Sequence, residues 1–83
     1  MSQEREVIEL INIVLEDGMI PKNVKSALKK AKEVLNDNSK DLNVRLSSAI
    51  YIIEKVTDEP NLMPHARTNI WNILSRLESL VKD

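Results

Sequence analysis

Few side chains in this sequence are of the types that catalysis or metal binding requires. His65 is the only histidine, and cysteine is absent. A catalytic histidine needs a side chain that orients it and a nucleophile or substrate proton within hydrogen-bond reach, and a zinc site needs further nitrogen or sulfur ligands. Neither set is recognisable around His65. We therefore predict no enzymatic activity, no cofactor and no metal, with His65 an exposed residue at the start of a helix.

Trp71, the only tryptophan, is a candidate for binding rather than for catalysis. Arg67, four residues earlier, and Glu78, seven residues later, fall on the same side of a helix as Trp71. Tryptophan and arginine are enriched at binding hot spots, and an arginine over an indole ring is a favourable pairing. These three residues form a candidate partner-binding patch. The alternative is that Trp71 fills a groove between helices and closes the edge of the core.

Four lysines form a second candidate surface, which we name the basic ridge: Lys22, Lys25, Lys29 and Lys32. On a helix they fall within roughly 80° of one another. Such a ridge can bind the phosphates of a nucleic acid or an acidic protein surface. The ordinary explanation is a solvated lysine face, because no aromatic residue is interleaved to stack the bases of a single strand and the net charge of the chain is −1.

Four blocks of apolar residues at helical spacing must position these side chains. The spacing predicts an all-α fold with helices over about 4–17, 21–36, 41–57 and 64–81. Gly18 fits a helix stop, Pro64 fits the first turn of the last helix, and Asp41 is a predicted N-cap. The third helix is apolar around much of its circumference, so we expect it to be the most buried.

The second half of the chain repeats the design of the first. A shift of 42 residues places Ile11 on Ile53 and Leu28 on Ile70 without a gap. A period of this length is typical of paired-helix repeats. We predict one domain over 1–83, built from two helical hairpins at about 4–37 and 41–82. The hairpins either close on each other as a compact four-helix bundle or form a HEAT-like pair with an open edge.

Two acidic pairs, Glu16-Asp17 and Asp58-Glu59, end the first helix of each hairpin. The helix macrodipole disfavours negative charge at this end, so helix stability alone does not explain them. They could accept a basic side chain from the neighbouring repeat or from a partner. The sequence leaves both possibilities open.

Several segments resemble known families. The segment "DLNVRLSSAI" is similar to the pattern of HEAT-type helical repeats. The segments "DGMIPKNVKSALKKAKEVL" and above all "PHARTNIWNI" resemble a small archaeal uncharacterised protein family, and this likeness covers nearly all of residues 5–82. The resemblance implies an all-helical fold, a cytoplasmic archaeal source and no assigned activity.

Three classes of function follow from these features. The first is a non-enzymatic helical module that binds a larger protein through Arg67, Trp71 and Glu78. The second is an accessory subunit of a nucleic-acid-processing assembly, in replication or translation, that uses the basic ridge. The third is a self-associating structural homodimer. The longest apolar run, Ala49 to Ile53, is too short to span a bilayer, and we expect a cytoplasmic protein without membrane contact.

Overall fold

Four helices connected by short loops make up the protein. The computed structural model describes residues 3–81. The helices are α1 (Gln3–Leu15), α2 (Lys22–Leu35), α3 (Leu42–Glu54) and α4 (Pro64–Leu80), and no strand occurs within that range. The predicted all-α class is confirmed. The outer limits predicted for the domain and for the second hairpin include residues 1, 2, 82 and 83, which lie outside the described residues.

The starts of the helices follow local chemistry. The Asp41 side chain accepts a hydrogen bond from the Asn43 N–H at 3.1 Å, which confirms the predicted N-cap of α3. Pro64 occupies the first position of α4, where the missing N–H costs no helical hydrogen bond. Pro21 is the N-cap of α2, so it lies one position before the first residue of its helix, whereas Pro64 is itself the first residue of α4. The second helix of each hairpin therefore starts at an equivalent residue, 22 or 64.

The helices pack as a closed ring of four. Within the hairpins, α1 packs against α2 and α3 packs against α4. Between the hairpins, α1 packs against α4 and α2 packs against α3. Among the described residues, the diagonal pairs α1–α3 and α2–α4 do not contact each other. Of the two predicted arrangements, the hairpins thus adopt the compact bundle.

The core is aliphatic throughout, and its positions repeat with the sequence. Every buried hydrophobic residue of the first hairpin has a buried hydrophobic residue 42 positions later. The pairs are Val7 and Ala49, Ile11 and Ile53, Val14 and Val56, Ile20 and Leu62, Val24 and Ala66, Leu28 and Ile70, Ala31 and Ile73, and Leu35 and Leu77. Only Leu46 and Leu74 are additional, and they correspond to the partly buried Glu4 and Lys32. The two hairpins therefore share one burial pattern.

The expectation that α3 is the most buried helix is wrong. It contributes three buried residues, whereas the longer α4 contributes five. In a ring of four, each helix packs against only two neighbours, so no helix is central. The extra apolar residues of α3 consequently face outward, and Val44 and Tyr51 are exposed.

Truncation of one repeated core position should reveal how strongly the fold depends on this packing. Leu28 is fully buried, and we expect Leu28→Ala to lower the free energy of unfolding by about 2–5 kcal/mol, because it removes apolar contacts and leaves a cavity. Urea denaturation followed by circular dichroism measures the change. Val44→Ala, on the exposed side of α3, is the control and should stay within about 0.5 kcal/mol of the parent. Equal losses in the two variants would contradict this core.

Candidate functional site

The loop between α1 and α2 is tied to the opposite hairpin through Asp17. Its Oδ1 accepts a hydrogen bond from the Met19 N–H at 2.9 Å, and its Oδ2 lies 2.7 Å from His65 Nε2, in the first turn of α4. The Met19 N–H, followed by the hydrogen bond to His65, lowers the pKa of the Asp17 carboxyl below its ordinary value. Asp17 thus stabilises its own loop and joins it to the second hairpin.

Glu59 makes the same connection in the reverse direction. Its Oε2 accepts a hydrogen bond from the Asn61 N–H at 3.2 Å, and its Oε1 accepts one from Asn23 Nδ2 at 2.6 Å. Glu59 is 42 residues after Asp17, and His65 is 42 residues after Asn23. The two hairpins therefore contact each other as the subunits of an isologous dimer do, where residue i of one meets residue j of the other and the reverse.

These contacts explain the second residue of each acidic pair. Asn23 and His65 are both the second residue of their helices, so each carboxylate lies beside the first turn of a helix, where the macrodipole favours negative charge. Both acceptors therefore bind a side chain of the neighbouring repeat; Asp17 meets the histidine His65, whereas Glu59 meets the neutral amide of Asn23 and not the basic side chain that was expected. The 42-residue shift was the signal that could have revealed these pairs.

His65 is exposed at the start of α4, as predicted, and its contact with Asp17 is structural in our interpretation. A carboxylate beside an imidazole is the orienting half of a catalytic triad. In the reciprocal contact, however, Asn23 takes the place of the imidazole and makes the same link to Glu59. Because an amide side chain cannot act as a general base, the shared role of the two contacts is to join the hairpins.

Arg67 belongs to the loop between α3 and α4. Its Nη1 donates to the Thr57 carbonyl at 2.8 Å, and its Nη2 donates to the Glu59 carbonyl at 3.2 Å. The guanidinium therefore holds the loop that carries Glu59. The predicted contact between Arg67 and a partner remains a prediction.

Trp71 lies on the outside of the bundle. Its exposed fraction is 54%, and Glu78, two turns further along α4, is also exposed. Tyr51, the only other aromatic residue, is 62% exposed, with the Lys55 ammonium 4.2 Å from the centre of its ring. Both aromatic side chains of the protein are therefore outside the aliphatic core.

The basic ridge lies on α2, with Lys22 and Lys29 exposed and Lys25 and Lys32 partly buried. A shift of 42 residues places Lys25 on Arg67 and Lys29 on Trp71. The two candidate surfaces, which were predicted from different features of the sequence, thus occupy equivalent places on the two hairpins. Since α2 and α4 are diagonal in the ring, the structure does not bring them together.

Two further properties concern the described part of the chain. Among residues 3–81, no group of three or more histidine, aspartate or glutamate side chains is arranged to hold a metal ion. No helix in this range combines the length and the hydropathy that crossing a bilayer requires.

Comparison with known proteins gives consistent matches over nearly the whole chain. The model of the uncharacterised protein family UPF0147 matches residues 2–80. The UPF0147 protein of Methanothermobacter thermautotrophicus is 39% identical over 82 residues, which cover 96% of this chain and 80% of the relative. The UPF0147 protein TK2131 of Thermococcus kodakarensis is 42% identical over 67 residues, 81% of each chain. The predicted resemblance to an archaeal uncharacterised family is confirmed.

A solved structure is also similar. The crystal structure of the unknown-function protein MMP1188 superposes with a TM-score of 0.89 at 31% sequence identity, covering 98% of this chain and 91% of that chain. The match extends the four-helix arrangement to an experimentally determined relative.

Acid titration of stability tests the contact of Asp17. A carboxyl whose pKa is lowered in the folded state stabilises the fold above its unfolded pKa, near 3.8, and this contribution is lost as the pH falls through the lower folded value. Asp17→Asn should therefore be less stable than the parent at pH 6, and the difference should shrink below about pH 3.8. Thermal unfolding between pH 2.5 and pH 7 measures it. Asp58→Asn removes a charge from the equivalent loop as a control, and an Asp17→Asn effect that is independent of pH would contradict this role of the carboxylate.

Removal of the Arg67 guanidinium should loosen the loop between α3 and α4. We expect Arg67→Met to lower the free energy of unfolding by about 1–2 kcal/mol, because two carbonyls lose charged donors. Hydrogen exchange should accelerate for the amides of residues 57–62 more than for those of the equivalent first loop. Unchanged exchange in this segment would show that the two hydrogen bonds do not hold the loop.

Proposed function

This chain belongs to UPF0147, an uncharacterised protein family, and from that premise we propose that it is a non-enzymatic helical module that binds a larger protein. The proposal places the protein in the cytoplasm, in keeping with its lack of cysteine. The binding surface is the outer side of α4, with Trp71 as the anchor and with Arg67 and Glu78 beside it along the helix.

The exposure of Trp71 carries this proposal. A tryptophan is highly buried on average, yet here the core is filled by aliphatic residues and the indole is more than half open to solvent. Burying a large ring on association gains apolar contact at a low cost in conformational entropy, which is why tryptophan dominates many binding hot spots. The ring also lies on a regular helix, so a partner meets a preorganised surface.

The neighbouring residues support a rigid surface around the anchor. Arg67, one turn before Trp71, has its guanidinium hydrogen-bonded to two loop carbonyls. In this proposal Arg67 holds the start of α4 against the α3–α4 loop and presents its aliphatic stem to the partner, while Glu78 supplies a charge at the rim. Rim charges influence the rate of association more than the affinity.

The non-enzymatic part of the proposal rests on the reciprocal contacts between the hairpins. His65 contacts Asp17, and in the equivalent contact Asn23 takes the place of the histidine and donates to Glu59. A link that tolerates an amide does not depend on proton transfer. The site therefore supports assembly of the domain rather than turnover of a substrate.

Substitution of Trp71 tests the module directly. We expect Trp71→Ala to keep the helicity and to change the melting temperature by no more than a few degrees, since the ring is largely exposed, but to weaken partner binding by at least thirtyfold, equivalent to roughly 2 kcal/mol or more. The partner is first captured from a native archaeal extract with the parent protein and identified by mass spectrometry. Its affinity for each variant is then measured by calorimetry with purified proteins. Tyr51→Ala removes the other exposed aromatic ring and should bind as the parent does.

Tryptophan fluorescence supplies a second measurement on the same residue. Because Trp71 is the only tryptophan, the emission of the free protein reports on this one ring, and it should shift to shorter wavelength when a partner without tryptophan covers it. Sedimentation of the free protein should give the monomer mass of 9.5 kDa. A dimer mass that falls to the monomer mass in Trp71→Ala would favour the homodimer instead, and a large loss of stability in this variant would assign Trp71 to the core.

A further inference from the structure

We propose that the basic ridge of α2 binds the phosphate backbone of a nucleic-acid duplex without reading its sequence. This inference is independent of the surface around Trp71, because it rests on a different helix and on charge rather than on apolar contact. The four ridge residues are Lys22, Lys25, Lys29 and Lys32.

The ridge has the geometry of a linear cation array. The lysines follow one another at intervals of three, four and three residues on a continuous helix, Lys22–Leu35. At a rise of 1.5 Å per residue, the first and last Cα atoms are about 15 Å apart. Each strand of a duplex carries one phosphate for about every 3.4 Å of the axis, so the same length of one strand presents about four phosphates. One strand therefore offers about as many phosphates as the ridge has ammonium groups.

Within the described part of the chain, no lysine of the ridge forms an ion pair. Among residues 3–81, the ion pairs with a nitrogen–oxygen distance of 4.0 Å or less are His65 with Asp17 and Arg76 with Glu6. Residues 1–18 carry a net charge of −4 and residues 19–35 carry +4, yet no carboxylate oxygen of the described residues lies within 4.0 Å of a ridge ammonium. Glu6 instead faces α4, through Arg76.

The fold does not require lysine at these positions. The equivalent residues of the second hairpin are Pro64, Arg67, Trp71 and Leu74, and α4 packs into the same core with one cation among the four. The concentration of charge is thus a chemical property of the first hairpin rather than a consequence of its packing. Leu74 belongs to the core, but the other three positions lie outside the core in both hairpins, and it is the difference in charge at these positions that points to a ligand of opposite charge.

The sequence of α2 also favours a duplex over a single strand. Proteins that hold single strands stack the bases on aromatic side chains, and α2 contains no aromatic residue. Contacts from lysine to phosphate position a protein on a duplex but carry no sequence information. Binding should therefore be weak, general for mixed sequences, and strongly dependent on salt.

Salt titration with matched double variants tests the ridge. The affinity for fluorescently labelled 24-base-pair DNA and RNA duplexes of mixed sequence is measured by anisotropy between 25 and 200 mM salt. We expect a dissociation constant of about 10⁻⁶ to 10⁻⁴ M and a slope of log K against log salt of about −3 to −4, since four neutralised phosphates give about −0.9 each. Lys25→Gln with Lys29→Gln should weaken binding roughly tenfold and reduce the slope by about two.

The control is Lys30→Gln with Lys40→Gln, which removes the same charge from exposed lysines outside the ridge. It should retain the slope of the parent, and circular dichroism should show all variants folded. Equal losses in the two double variants, or no binding of either duplex at 25 mM salt, would overturn the proposal. Binding of poly-L-glutamate without binding of either duplex would also overturn it and assign the ridge to an acidic protein surface. Trp71→Ala should bind duplex as the parent does, so failure of one proposal is distinguishable from failure of the other.

Discussion

The shared aliphatic core is the constraint on which the rest of this structure depends. A helical hairpin of this size cannot bury its apolar face alone, and with neither a disulfide nor an aromatic residue in the core, the two hairpins must supply each other's interior. Eight positions of the first hairpin are buried together with their eight counterparts. The core uses only valine, isoleucine, leucine and alanine, so Tyr51 and Trp71 are left on the surface.

Polar contacts at the loops fix how the hairpins meet. Apolar burial itself is not directional, and polar contacts add constraints of distance and angle to it. The contacts of Asp17 with His65 and of Glu59 with Asn23 each join a loop of one hairpin to a helix start of the other. Since hydrogen bonds need short distances and defined angles, this reciprocal pair forms only when the hairpins meet in the observed register. Histidine and asparagine occupy equivalent helical positions in the two contacts, and each presents a side-chain nitrogen to a carboxylate.

The sequence predicted the fold well because its information is periodic. Apolar spacing gave the four helices, and the 42-residue shift gave their grouping into hairpins. Prediction from the sequence failed where burial depends on how the helices pack together. The apolar circumference of α3 suggested a central helix, but no helix is central in a ring of four. Gly18 was expected to end α1, yet α1 ends at Leu15, the described residues include no positive φ, and the Asp17 carboxylate forms the turn. Side chains such as Arg67, which reach across a loop, follow from geometry that spacing does not contain.

The likeness between the two hairpins has a consequence for how surfaces can diversify. When two separate identical subunits pair about a twofold axis, any substitution appears on both sides at once. Covalent linkage of the halves removes that obligation: a lysine at position 29 and a tryptophan at position 71 occupy matching places in one molecule. The protein thereby keeps the repeated core of a symmetric dimer, while the outer surfaces of its two hairpins carry different side chains.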